Sequence, residues 1–141
     1  MKPVIIFFFL VLAGCNFPKD PEESLEKATR DSLKVGVVNN LPYTYFDNGE
    51  ASGTEIEFLK EFARSNKINI SFIEGSESVL VDKLKNYRLH IVAGGFDKKT
   101  IWKKHAGTSA TYDSKHLFLI PKGENKLLQQ LETYIYQNTK K

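Results

Sequence analysis

The chain is short of the residue types that do chemistry. It has one cysteine, Cys15, so no disulfide can form within the monomer and no pair of thiolates can hold a metal. Its three histidines, His90, His105 and His116, have no cysteine or carboxylate at metal-ligand or catalytic-triad spacing, and no nucleophile motif occurs. Gly94-Gly95 lacks the further glycines, and the Lys-Ser/Thr directly behind them, that a phosphate loop requires. These gaps point away from an enzyme and imply neither metal nor cofactor. Charge of one sign is not in excess either. The 20 basic and 17 acidic residues leave a net charge of +3, too mild to argue for nucleic acid as a partner. Long apolar runs are limited to Val4–Leu12, well short of the about 20 residues that span a bilayer. Aromatic residues, by contrast, are plentiful. Ten Phe, six Tyr and one Trp exclude a chain disordered throughout.

Behind Met1-Lys2-Pro3, the apolar run has the length of a signal-peptide h-region. It ends in Leu12-Ala13-Gly14-Cys15, which resembles the bacterial lipobox, where cleavage precedes a cysteine that then carries lipid. Residues 1–14 are therefore expected to be a signal peptide. Cys15 would be a lipidated N-terminus holding the protein in the cell envelope, outside the cytoplasmic membrane. Residues 15–31 read as a tether with two prolines and no apolar period over its first part. Within it, Glu22 to Arg30 fits a short helix with Asp20 as N-cap and Pro21 at the first helical position. Residues 32–138 are left as one domain, long enough to bury a core, with 139–141 as a tail.

Leu33–Val38 is β-branched and ends at Asn39-Asn40, the signature of an opening strand. A proline bend and an aromatic segment follow, Leu41-Pro42-Tyr43-Thr44-Tyr45-Phe46, then a turn at Asp47-Asn48-Gly49. Thr54 and Glu57 have capping-box spacing at the head of a helix whose Ile56, Leu59 and Ala63 make a buried stripe and which Asn66 ends. Ile68–Ile73 reads as the next strand. Ser76 is placed to cap a second helix carrying Leu80, Leu84 and Tyr87 on one face. Leu89–Ala93 is then a buried strand stopped by Gly94-Gly95. Strand, helix, strand, helix, strand makes two successive βαβ units. The expected fold is α/β, a three-layer αβα arrangement around a mainly parallel sheet. Such sheets bind ligands beyond the carboxyl ends of their strands, where Gly94 and Gly95 allow close approach of backbone N–H groups. A bare Gly-Gly pair serves equally well in a plain tight turn. Beyond it, Asp97 to His105 reads as a turn or one helical turn, Lys115–Ile120 as a fourth strand and Asn125–Gln137 as a closing helix.

In order and spacing, Lys34-Val35-Gly36-Val37, Leu41-Pro42-Tyr43, Gly49 to Ile56, Leu89 to Gly95, Thr108 to Tyr112 and Pro121 to Asn125 together resemble a known pattern. It is that of one lobe, lobe 1 of the type II periplasmic binding proteins, in an extracellular solute-binding protein of family 3, the amino-acid type that serves ABC transporters. The resemblance implies ligand contacts at Tyr43, with Tyr45 near it, at Gly94, Gly95, Phe96 and Asp97, and at Trp102. Two departures stand out. Full members clamp the ligand between two lobes, whereas this chain passes from Tyr112 through one strand and one helix and stops. They also grip the ligand's α-carboxylate with an arginine, where this chain has Ile101 or Trp102 among lysines, and a lysine lacks the planar fork. Phe96 replaces the usual hydroxyl residue. The bland alternatives are core or edge packing for Tyr43 and Trp102, a helix-dipole role for Glu55 and a solvated face for the lysines at 98 to 104. The resulting expectation is a lipid-anchored solute-binding or sensing protein with a small-molecule ligand, an ABC permease or other membrane protein as partner, and a homodimer as one way to wall the site. The competing reading is an interaction module that has lost its solute site.

Overall fold

Period-two alternation is what builds the sheet. In β1 (Leu33–Val37), Leu33, Val35 and Val37 enter one core, while Gly36 faces Leu80, Leu89 and Val92 in the other. The same alternation sends Ile91 and Ala93 of β5 (Ile91–Asp97) to the first core and Val92 and Phe96 to the second. In β7 (His116–Ile120), Phe118 and Ile120 take the first core, Leu117 and Leu119 the second. A sheet buried on both faces needs helices on both. The computed structural model describes residues 20–139 and supplies them. Residues 1–19, which hold the expected signal peptide and Cys15, and residues 140–141 lie outside the described residues.

Helices α1 (Ser24–Arg30), α2 (Thr54–Ser65) and α4 (Asn125–Thr139) cover the first core, and α3 (Glu77–Lys85) covers the second. The other strands are β2 (Tyr45–Asp47), β3 (Glu50–Ser52), β4 (Ile70–Glu74) and β6 (Gly107–Thr108). The main sheet runs β4-β1-β5-β7-β6, with β2 and β3 forming a separate antiparallel hairpin. β1 pairs in parallel with β4 and β5, while β7 runs against both β5 and β6. Four strands therefore share one direction and β7 opposes them. The result is the expected three-layer α/β fold with a mainly parallel sheet.

Local details differ from the sequence expectation where long-range pairing decides them. Gly94-Gly95 does not stop β5, which continues to Asp97. Val92 pairs with Leu119 and Phe96 with Leu117, so β5 spends four residues where β7 spends two. The glycines absorb that excess as a bulge, with Gly95 at φ 66°. The capping box at Thr54 is not formed. Gly53 is the N-cap, and the N–H groups of Thr54 and Glu55 instead reach the carbonyls of Pro42 and Tyr43 at 3.2 and 3.0 Å. Only glycine fits at 53, where φ is 120° and a Cβ would lie 2.2 Å from the Tyr43 carbonyl oxygen. Tyr87 falls outside α3 in a left-handed conformation.

Asp20 does not cap α1, which starts after Glu23. The two helix starts exchange carboxylates instead. Glu124, buried just before α4, accepts the N–H groups of Glu22 and Ser24, each at 2.9 Å, at the head of α1. Asp20 in return accepts the N–H of Lys126 at 2.7 Å in the first turn of α4. Truncation by Glu124→Ala leaves two amides unpaired and is expected to remove about 2 kcal/mol or more of stability. A urea melt should show this as a lower midpoint at unchanged slope.

Candidate functional site

Beyond the carboxyl ends of β1 and β5, the chain between residues 38 and 44 folds into a tight turn. Asn40 accepts the N–H groups of Tyr43 and Thr44 at its carbonyl and donates its own to the Thr44 carbonyl. That turn places two side chains on the bulge of β5. The Asn40 amide donates to the Gly94 carbonyl at 2.8 Å. The Tyr43 ring lies against Gly95, so close that a Cβ there would be 2.8 Å from it and 2.6 Å from the Asn40 amide nitrogen. Glycine at 95 is thus required twice, by its dihedral and by the space.

The underside of the bulge is held by Glu55, from the first turn of α2. Its carboxylate is fully buried, accepts the Gly95 N–H at 3.1 and 3.2 Å and accepts the Tyr112 hydroxyl at 2.6 Å. Burial pushes the carboxyl above its ordinary value. The hydrogen bonds from Tyr112 and the Gly95 and Gly94 backbone, with the nearby His116 ring, oppose that rise. The Tyr112 phenol is pushed up in turn, by burial first and then by the Glu55 carboxylate, so it keeps its proton and donates.

His116 completes the cluster. Its ring stands 4.5 Å from that of Tyr43 and 6.1 Å from that of Tyr112, centroid to centroid. Its Nδ1 lies 2.7 Å from the Asp113 carboxylate, which also accepts the backbone N–H groups of Lys115 and His116. Burial pushes the Asp113 carboxyl up, but these bonds outweigh it and leave the carboxyl below its ordinary value.

The residues expected at the site divide between the two faces of the sheet. Tyr43, Gly94, Gly95 and Asp97 lie together at the carboxyl edge. Phe96 is buried in the α3-side core, with its ring against the backbone of Gly94. Trp102, in a 3₁₀ turn (Ile101–Lys104), packs on that same core and donates its indole N–H to Glu77 at 2.8 Å. Tyr45 lines a neighbouring cavity of about 790 Å³ beside Leu41, Pro42 and Gly53. Ile101, near the expected arginine position, is 74% exposed. The cations nearest the edge are lysines. Lys98, Lys99 and Lys115 surround a cavity of about 290 Å³ together with Asp97 and Ser114.

Sequence reasoning missed Asn40, Tyr112 and the Asp113–His116 pair, and gave Glu55 only a helix-dipole role. The three-residue spacing of Asp113 and His116 was the available signal. For Glu55 no local signal existed, since its partners are 40 and 57 residues away.

Because its folded value is raised, Glu55 contributes stability that is complete below the unfolded carboxyl value near 4.5 and lost as pH rises through the folded value. Removing its hydroxyl donor in Tyr112→Phe pushes the folded value higher still. At neutral pH that variant is expected to lose about 1–3 kcal/mol. The deficit should shrink on acidification, and Glu55→Gln should flatten the profile. Urea melts across a pH series check both.

Residues 33–140 match the family model for bacterial extracellular solute-binding proteins, family 3. A probable histidine-binding protein of Campylobacter jejuni is 26% identical over 127 residues, covering 88% of this chain and 50% of that protein. A membrane-bound lytic murein transglycosylase F of Vibrio cholerae is 27% identical over 138 residues, covering 92% of this chain but 26% of that protein. The chain therefore spans about half the first relative and about a quarter of the second. Among solved structures, the arginine-bound form of domain 1 from TmArgBP aligns with a TM-score of 0.72 at 20% identity, over 79% of this chain and 97% of that one. An ancestral cationic amino acid solute-binding protein aligns with a TM-score of 0.72 at 14% identity, over 81% and 92%. At these identities the likeness is one of fold.

Proposed function

Because this chain belongs to the family 3 bacterial extracellular solute-binding proteins, we propose that it is a lipid-anchored solute-binding or sensing protein working outside the cytoplasmic membrane. Its ligand is a small zwitterion of the amino-acid class, held at the carboxyl edge of the sheet. The observation that carries this reading is the convergence of the Tyr43 and His116 rings and the Gly95 bulge on that edge, beside Asp97 and three lysines. The half-buried Tyr43 ring, backed by the buried His116, offers a face for the ligand's side chain. Lys98, Lys99 and Lys115 offer charge to its carboxylate, and Asp97 to its ammonium group. That a single domain of similar extent is described as arginine-bound supports one lobe as sufficient. An ABC-type permease is the expected receiver of the ligand.

A second reading has its own support. The Gly95 N–H and the Gly94 carbonyl are both taken by side chains of this protein. Leu41, Val79 and Ile101 are large, apolar and exposed, and they follow the carboxyl ends of the neighbouring strands β1, β4 and β5. Those features suit an edge that docks a membrane or envelope protein in place of a solute.

Thermal-shift titration with arginine, histidine and other amino acids separates the two. A ligand at 100 times its dissociation constant adds about 2.7 kcal/mol, which moves the midpoint by several degrees. Tyr43→Ala should abolish the shift under the solute reading, whereas flat curves throughout favour the docking reading. Anchoring is checked separately, since Cys15→Ser should release the protein from the membrane fraction.

A further inference from the structure

The opposite end of the sheet carries a second concentration of polar groups. There the chain leaves α1 through Arg30 and Asp31, enters β1 at Lys34, and passes from α3 through Arg88 to His90 just before β5. These residues, with Lys27 and Tyr87, line a cavity of about 420 Å³. Four of them are cationic and one is a carboxylate. Asp31 is engaged by Lys34 at 3.7 Å, and Lys27 by Glu22 at 3.1 Å. The guanidinium groups of Arg30 and Arg88 make no hydrogen bond or ion pair among the described residues.

His90 forms the cavity's inner wall and is only 5% exposed. Its Nδ1 accepts the Lys34 N–H at 2.9 Å, so the neutral ring carries its proton on Nε2. Nε2 has no partner among the described residues. Burial, and after it the charges of Lys34 and Lys27, lower the ring's pKa from 6.5 to about 4. At neutral pH the ring is therefore an uncharged donor inside a positive cavity.

Complementing the carboxyl-terminal dipole of α1 accounts for Lys27 and Arg30. It does not account for Lys34, for Arg88 or for a buried histidine with an open N–H. Two guanidinium forks without a direct hydrogen bond or ion pair (Arg30 feels the charge of Glu26 on α1), an ammonium group and one neutral donor match an anion with three terminal oxygens better than a carboxylate with two. We propose that Arg30, Lys34, Arg88 and His90 form a phosphate-binding site at the amino end of the sheet, separate from the solute edge. Since α1 lies within the stretch that joins the expected anchor to the domain, the phosphate is either that of a soluble monoester or that of a lipid with a phosphate-monoester headgroup beneath the anchored protein.

The test titrates the full-length protein, kept in neutral detergent, with inorganic phosphate and pyrophosphate while the His90 ring signals are followed by NMR. Saturable shifts are expected, with a rise in the His90 pKa. Arg88→Ala should weaken binding by about tenfold or more. Arg88→Lys, which keeps the charge and loses the fork, should fall between, and Arg64→Ala on α2 should bind as the parent does. Both arginines are exposed, and Arg64 has only a surface ion pair with Glu61 at 2.7 Å to lose, so unchanged melting curves will show that the variants fold. If the soluble anions leave His90 unmoved, but vesicles containing phosphatidic acid, whose headgroup is a phosphate monoester, shift it where those of phosphatidylcholine alone do not, and Arg88→Ala weakens that response, the phosphate is the lipid's. If neither source moves His90, or Arg64→Ala weakens the response as much as Arg88→Ala, there is no site and the cluster is a solvated basic face.

Discussion

A carboxylate buried to zero exposure must be met by donors, because the charged form has lost its water. Glu55 sits under that constraint, and much of the carboxyl edge is arranged around it. One of its partners is the N–H of a glycine in a left-handed bulge. The other is a phenol on the segment leading into β7. Joining them ties the start of α2, the kink of β5 and the approach to β7 at a single point. The turn before β2 closes over the same place, because α2 has spent its first N–H groups on the carbonyls of that turn. The Tyr43 ring then lies on the face of Gly95.

This economy shapes what the edge can do. The bulge has turned its polar backbone inward, to Glu55 on one side and Asn40 on the other, and what remains outward is made of side chains. Aromatic and imidazole faces are rigid, but the lysines beside them are compact charges on flexible stems. Under the proposed solute reading, an edge of this kind would recognise charge and an apolar surface more than the angles of a bidentate fork, and its selectivity would come from the shape around Tyr43.

The layers and their order were legible in the sequence because each strand's alternation is local. Val35 and Val37 name one core by themselves, and Ile56, Leu59 and Ala63 the helix that covers it. What was illegible is whatever depends on a partner far along the chain. A glycine pair reads the same as a turn or a bulge, and only its pairing with an antiparallel β7 decides between them. Thr54 and Glu57 have the spacing of a cap, yet carbonyls a dozen residues upstream reached the amides first. Trp102, Phe96 and Tyr43 are all aromatics that the resemblance brings to the glycines. The alternation that carries Ala93 and Gly95 to one face and Phe96 to the other sends them apart, and that could be read only once β5 was known to continue.

The carboxylate exchange between α1 and α4 has a mechanical side. The chain enters the described fold at Asp20, and Asp20 is bonded to the head of the last helix, while Glu124 from beside that helix holds the head of α1. A pull transmitted along the preceding residues would therefore load a short set of crossed carboxylate–amide bonds between two helices. It would not draw first on the ladder of the sheet. The junction acts as a strain relief, so that tension on the chain ahead of Asp20 is spent on the helical layer while the geometry of the carboxyl edge is left undisturbed.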